Sequence, residues 1–127
     1  MQKILLVDDS KVVGKMLTAT LEQSGYSVIN CQDVDSAIVA FKEHETSIEL
    51  VLTDLIMPGK DGYDLIDYLH KNAVPGRRPK IIVISGGSKG TVDAGTAVGS
   101  IKDRVEMVMV KPFKPDELIT AVKGVLG

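Results

Sequence analysis

Asp8, Asp9, Asp54, Ser85 and Lys111 are the residues of this 127-residue chain whose types could do chemistry together. Each comes at or just after the end of a short apolar run, where a buried strand gives way to a loop. Three carboxylates drawn to one place repel one another and raise each other's pKa unless a cation sits among them. Hard oxygen ligands of this kind suit Mg2+, which keeps several waters and takes one or two carboxylates. A lysine and a hydroxyl beside them would complete a site for a phosphoryl group on a carboxylate. Taken singly, each residue has an ordinary role: an Asp caps a helix or starts a turn, a Ser-Gly-Gly run is a turn, and a lysine before a loop is solvated. Their joint occurrence points to chemistry, provided the fold brings them together.

The stretch Val51-Leu52-Thr53-Asp54-Leu55-Ile56-Met57-Pro58-Gly59-Lys60-Asp61-Gly62 is the centre of that arrangement. Ile48 to Thr53 suits a strand buried on both faces, and Pro58, Gly59 and Gly62 mark the loop that ends it, which places Asp54 at the strand's carboxyl end. Around it the chain alternates. Lys3 to Val7 reads as a first strand, followed by a helical pattern of Val12, Val13, Met16, Leu17, Thr20 and Leu21 with Ser10 or Asp9 as its cap. Gly25 stops that helix. Tyr26 to Cys31 is a second strand, and Asp33 or Asp35 caps a helix with Ala37, Ile38 and Phe41 on one face. After Asp54, the residues Tyr63, Leu65, Ile66 and Leu69 mark a third helix, which Pro75-Gly76 breaks. Lys80 to Ile84 is the fourth strand, ending in Ser85-Gly86-Gly87, and a weaker segment leads to the fifth, Glu106 to Val110. Pro115-Asp116-Glu117 opens a last helix with Leu118, Ile119, Val122 and Val125 inward.

Five strands alternating with helices predict an α/β fold, a (βα)5 doubly wound five-stranded parallel sheet covered on both faces with right-handed crossovers. Such sheets bind ligands outside the strands' carboxyl ends, where the strand order reverses. With the order 2-1-3-4-5, all five residues meet on one edge.

Composition bounds the rest. The length fits one domain able to bury roughly two-thirds of its unfolded surface, and 44% hydrophobic with 25% charged residues is ordinary globular composition. Fifteen basic against seventeen acidic residues give a formal charge of -2, so no overall basic field attracts nucleic acid or anionic lipid, and direct nucleic-acid binding is not expected. Cys31, the single cysteine, reads as a small core residue, and a reducing cytoplasm is the simplest compartment. Ile4 to Val7 is too short for the apolar core of a secretory signal and is followed by Asp8-Asp9. No run approaches membrane-spanning length, so membrane insertion is not expected.

The motifs Asp8-Asp9, Thr53-Asp54 with Met57-Pro58 and Asp61-Gly62, Ser85-Gly86, and Lys111-Pro112-Phe113 are, in this order and spacing, highly specific. Through them, and over essentially its whole length, the chain resembles the CheY-like receiver domains of two-component response regulators. The resemblance implies the flavodoxin-like order 2-1-3-4-5 and a single receiver domain over residues 1–127. It implies Asp54 as phosphoacceptor, with Mg2+ ligated by Asp9, Asp54 and the Ile56 backbone carbonyl while Asp8 acts chiefly through a water ligand. Lys111 would pair with Asp54 and then with the phosphoryl oxygens, Ser85 would hydrogen-bond the phosphoryl group, and the Lys111-Pro112 bond would be cis. The implied partners are a histidine kinase or phosphotransfer protein as donor and a downstream protein as target. Met1 so close to the first strand favours a stand-alone regulator over a piece of a longer protein.

Two positions depart from the family pattern. Three residues before the lysine, where the family usually has an aromatic side chain that swings between rotamers, stands Val108, short and stiff at χ1. The segment between Ser85 and the fifth strand carries Gly86, Gly87, Gly90, Gly95 and Gly99, and each glycine inside a helix costs about 0.8–1 kcal/mol relative to alanine, so the helix expected there should be short, shifted or frayed. Ile56 and Gly87 occupy the variable positions that, in the family the chain resembles, influence how an attacking water is held, and neither offers a polar side chain to orient it, which predicts slow self-dephosphorylation. His44 and His70 fall toward helix ends and take no role in the chemistry.

Other readings fit less well. A phosphorylation-independent docking module would not need the intact acidic pair, Asp54, Ser85 and Lys111. An aspartyl-phosphate hydrolase would carry a second Asp two positions after Asp54, where Ile56 stands. A flavin protein would need hydroxyls and glycines in the first loop, where Asp8-Asp9 repel a phosphate. Gly86-Gly87-Ser88-Lys89-Gly90 lacks the spacing of a nucleotide-binding P-loop.

Overall fold

The structure, a computed structural model, describes residues 2–86 and 101–127. Strands β1 (Lys3–Val7), β2 (Ser27–Cys31), β3 (Ile48–Asp54), β4 (Lys80–Ser85) and β5 (Met107–Val110) pair in parallel in the order β2-β1-β3-β4-β5. Helices α1 (Lys11–Gln23), α2 (Val34–His44), α3 (Gly62–Asn72) and α4 (Pro115–Leu126) connect or follow them, and a single 3-10 turn covers Lys102–Arg104. The expected doubly wound sheet is therefore present. β2 and β5 each begin one residue later than the sequence pattern suggests. The helix expected between β4 and β5 falls largely on residues outside those described.

Alternation along the strands separates two cores, because successive side chains point to opposite faces of a sheet. Leu5, Val7, Val51, Ile81 and Val83 pack under α2 and α3 against Phe41, Leu65 and Leu69. Ile4, Leu6, Leu50, Leu52, Ile82 and Ile84 face the other way, onto Leu17 and Leu21 of α1 and Leu118 and Val122 of α4. The central strands are covered on both sides, which is why β1, β3 and β4 read as nearly unbroken apolar runs. Phe41 anchors the first core, with its ring edge-on to Tyr68 at 6.3 Å between centroids. Cys31 is buried in that same core.

Local chemistry sets the helix ends. The Ser10 hydroxyl accepts a hydrogen bond from the Val13 amide at 3.2 Å, and the Asp33 carboxylate accepts from the Ser36 amide at 2.7 Å. Gly25, with φ at +95°, turns the chain after α1 in the left-handed region. Within α1 the apolar pattern overstates the buried face. Val12 is 69% and Met16 62% exposed, whereas Gly14, Leu17 and Leu21 are buried. At 3.6 residues per turn, positions 14, 17 and 21 share a face that positions 12 and 16 do not.

Three contacts fix the chain where it returns to β5. Ile101 is buried in the first core, the Arg104 guanidinium pairs with Asp67 of α3, and the His70 ring nitrogen Nε2 lies 2.8 Å from the Arg104 carbonyl oxygen, which can only accept. Glu106 then bridges to β4, accepting from the Ile81 amide at 2.6 Å and from Arg78 at 3.2 Å.

Because Phe41 is 1% exposed, Phe41→Ala should cost about 3–5 kcal/mol in urea unfolding. Val39→Ala, on the exposed side of the same helix, should change stability by no more than about 0.5 kcal/mol. Equal effects would mean that α2 does not pack through this face.

Candidate functional site

Only four polar or charged residues are buried among those described: Asp8 at 1% exposure, Thr53 at 0%, Asp54 at 6% and Ser85 at 4%. All four lie at the carboxyl ends of β1, β3 and β4. The parallel register explains their meeting. Val7 pairs with Thr53 and Asp54 with Ile84, so the residues that end the three central strands are brought level. The chain then leaves each strand in a fixed direction. The Asp8 amide donates to the Cys31 carbonyl oxygen at 3.1 Å, the Leu55 amide to that of Ile84 at 3.0 Å, and the Lys111 amide to that of Ser85 at 2.9 Å.

Asp8, Asp9 and Asp54 each place a carboxylate oxygen within 4.8 Å of the other two. Asp9 is exposed at the mouth. One oxygen of Asp8 accepts from the Ser10 amide at 2.8 Å, while its Oδ2 is buried without a hydrogen-bond donor among the described residues. Lys111 reaches in from the end of β5, with Nζ 3.4 Å from Asp54 Oδ1 and 3.8 Å from Asp8 Oδ2. The Lys111-Pro112 peptide bond is cis, as the resemblance implies. Ser85 lies at the end of β4, the strand beside Asp54. Ile56, two residues past Asp54, is 64% exposed and apolar. The structure thus brings Asp8, Asp9, Asp54, Ser85 and Lys111 to one edge, as the sequence reading requires. Gly87 lies outside the described residues.

Among the described residues, charge is under-compensated in this pocket. Burial, and then the close approach of the Asp8 carboxylate, push the Asp54 carboxyl up to about 7, against the smaller opposing pull of Lys111. Among the described residues, a buried carboxylate oxygen without a hydrogen-bond donor, three converging carboxylates and one lysine fit a hard divalent cation such as Mg2+.

The loop after Asp54 is held by residues that the sequence reading left without a role. The Asp61 carboxylate accepts from the Tyr63 amide at 3.0 Å while the Asp64 carboxylate accepts from the Asp61 amide at 2.9 Å, a capping box that fixes the start of α3. The Asp-x-x-Asp spacing was a signal for it. Lys60 pairs with Asp35 at 2.7 Å, joining this loop to α2, and no local pattern marks a pair so distant in sequence.

A doubly wound sheet whose ligand edge carries carboxylates and a lysine defines an α/β class suited to phosphoryl groups rather than to a flavin phosphate. The chain belongs to the response regulator receiver domain family, which matches it over residues 4–123. It is similar to the probable transcriptional regulator ycf27 of Guillardia theta, at 31% identity over 98% of this chain and 45% of that protein. It is likewise similar to the phosphate regulon transcriptional regulatory protein PhoB of Escherichia coli (strain K12), at 27% identity over 98% of this chain and 52% of that protein. A response regulator receiver domain protein from Clostridium thermocellum has the same fold, with a TM-score of 0.85 and 25% identity, covering 99% of this chain and 94% of the other. The chain spans about half the length of the curated relatives it matches.

The raised pKa of Asp54 has a consequence for stability. Its ordinary value is 3.8, so between about pH 4 and pH 7 the folded metal-free chain binds more protons than the unfolded one, and this group's contribution to stability falls as pH rises through that window. Asp54→Asn should therefore raise the Tm in EDTA by several degrees at pH 8, on the order of 1–2 kcal/mol, and by much less at pH 5. Excess Mg2+ at pH 8 should raise the wild-type Tm more than that of the variant. A thermal shift independent of pH would contradict the crowding of Asp8 and Asp54.

Proposed function

We propose that this chain is a single receiver domain over residues 1–127 that takes a phosphoryl group on Asp54 and switches a protein-binding surface in response. The observation that carries this reading is the buried Asp54 carboxylate, flanked by Asp8 and Asp9 and held 3.4 Å from the Lys111 ammonium. The donor is a histidine kinase or a phosphotransfer protein of a two-component system. An Asp54 carboxylate oxygen attacks the phosphorus of the donor's phosphohistidine. The new O–P bond forms as the N–P bond breaks, and the imidazole nitrogen leaves with the electron pair.

Two anions must approach one another in that step, so the site's task is chiefly position and charge. Asp8, Asp9, Asp54 and the Ile56 carbonyl would hold Mg2+, which supplies positive charge against the phosphoryl oxygens. Lys111 supplies a second positive charge and moves from Asp54 to the phosphoryl oxygens once the acyl phosphate exists. The Ser85 hydroxyl hydrogen-bonds the phosphoryl group, and the added charge and acceptor oxygens draw its loop toward the site. The chain acts as a phosphoacceptor regulator, with no turnover beyond its own phosphorylation and dephosphorylation. The downstream target is a protein, the net charge of -2 supports a reading without direct nucleic-acid contact, and the compartment is the cytoplasm. Among the described residues no helix is long and apolar enough to cross a membrane.

Incubation with a small acyl phosphate and Mg2+ should add one phosphoryl group, read by intact mass. The addition should be abolished in Asp54→Asn and without Mg2+, and slowed about 100-fold or more in Lys111→Ala. With apolar Ile56 at the mouth, the phosphorylated chain should persist well beyond seconds without a phosphatase, and Ile56→Gln should shorten its lifetime several-fold. No addition despite measurable Mg2+ binding would replace this reading with a phosphorylation-independent docking module.

A further inference from the structure

The backbone of Asp54 is held as closely as its side chain. Thr53, fully buried, directs its hydroxyl not into the core but onto the Asp54 carbonyl oxygen, donating at 2.9 Å. The first residue of α3 also lies close against this peptide. The Gly62 amide donates to the Leu55 carbonyl oxygen at 2.9 Å. A methyl group on Gly62 would collide with the Asp54 carbonyl oxygen and would lie 2.8 Å from Leu55 Cα and 3.1 Å from the Leu55 carbonyl oxygen. These are backbone atoms, so no side chain can swing aside to make room. The start of α3 cannot yield easily either, because the Asp61 and Asp64 capping box and the Gly62–Leu55 bond fix it against the strand end.

We propose that Thr53 and Gly62 are positioning residues of this site: one by a hydrogen bond and the other by the absence of a side chain, they set the Asp54–Leu55 peptide plane and so the aim of the Asp54 carboxylate into the acid pocket. Neither touches the phosphoryl group or the cation. A rotation of that plane moves the carboxylate relative to Asp8, Asp9 and Lys111, and it displaces the chain leading to Ile56. The inference rests on the reading of Asp54 given above for phosphoryl uptake but not for cation binding, so the two can be tested apart.

The experiment compares wild type with Thr53→Val, Gly62→Ala and Gly14→Ala in three measurements: Mg2+ affinity of the unphosphorylated chain, rate of phosphoryl uptake from a small acyl phosphate, and stability in urea. Gly14→Ala is the control. Its added methyl would meet the Asn30 side-chain amide at 3.0 Å, a group at the far end of a side chain on β2 and not a backbone atom of the Asp54–Leu55 peptide. Thr53→Val should keep near-wild-type stability yet lose Mg2+ affinity and uptake rate several-fold. Gly62→Ala should lose about tenfold or more in both, the scale seen when the support behind a metal ligand is removed. Gly14→Ala should keep wild-type Mg2+ affinity whatever its stability. Wild-type Mg2+ affinity in Thr53→Val, or losses that follow stability across all three variants, would overturn the inference; if Gly62→Ala does not fold, Thr53→Val decides alone. A wild-type chain that binds Mg2+ but takes up no phosphoryl group would remove the phosphoacceptor reading and leave the affinity comparison to decide this one. A wild type that binds no Mg2+ would overturn both.

Discussion

The carboxylates of Asp8 and Asp54 are held out of water at the ends of adjacent parallel strands, and the organisation of the molecule follows from that juxtaposition. Burying one ionised group is costly, and burying two of the same sign side by side is more so. Lys111 offsets part of the repulsion, at 3.4 Å from one carboxylate and 3.8 Å from the other, but among the described residues this one cation does not balance the pocket. The pair stays together because the sheet leaves it no alternative. Strands β1, β3 and β4 are buried on both faces and paired in fixed register, so neither carboxylate can swing into solvent without moving a strand end. The site is thus a concentration of unfavourable charge, sustained by the two apolar cores and poised to be relieved by a cation.

The same architecture separates stiffness from exposure. Below the site, apolar side chains fill both faces of the sheet, and β3 runs to Asp54 without a break in pairing. Above it, the chain passes into loops, and the one after β3 is tied by Lys60 to Asp35, Asp61 to Asp64, and the Leu55 carbonyl to Gly62. Rigid strands that end in a pinned loop can hold side chains at fixed distances while leaving the mouth of the site accessible. Val108, half-buried against the core under α2 and α3, has no ring to flip. Its χ1 stiffness leaves backbone and helix packing as carriers of any signal through β5.

Much of this was legible in the residues. Alternating β-branched runs and helical periods specified the doubly wound sheet, and turn residues with Asp54, Ser85 and Lys111 at strand ends marked where chemistry would sit, because both signals are local. Other features were not legible. The pattern of α1 included Val12 and Met16, yet only the packing of the helix on β2 and α4 decides which arc is covered, and these two remain exposed. The Lys60–Asp35 and Arg104–Asp67 pairs join residues far apart in sequence, so no spacing rule could have found them. Thr53 looked like one more strand residue and Gly62 like one more loop glycine.

By itself, the sequence determined the class of fold and the identity and order of the candidate site residues, since apolar period, turn chemistry and residue type are properties of neighbouring positions. Tertiary structure decided what those groups experience. The rise of Asp54 to about 7 depends on burial by other elements and on Asp8, contributed by a strand more than forty residues earlier. The need for glycine at position 62 depends on how closely α3 approaches the end of β3. Dielectric, distance and close contact are set by the chain meeting itself, and no single stretch of sequence contains them.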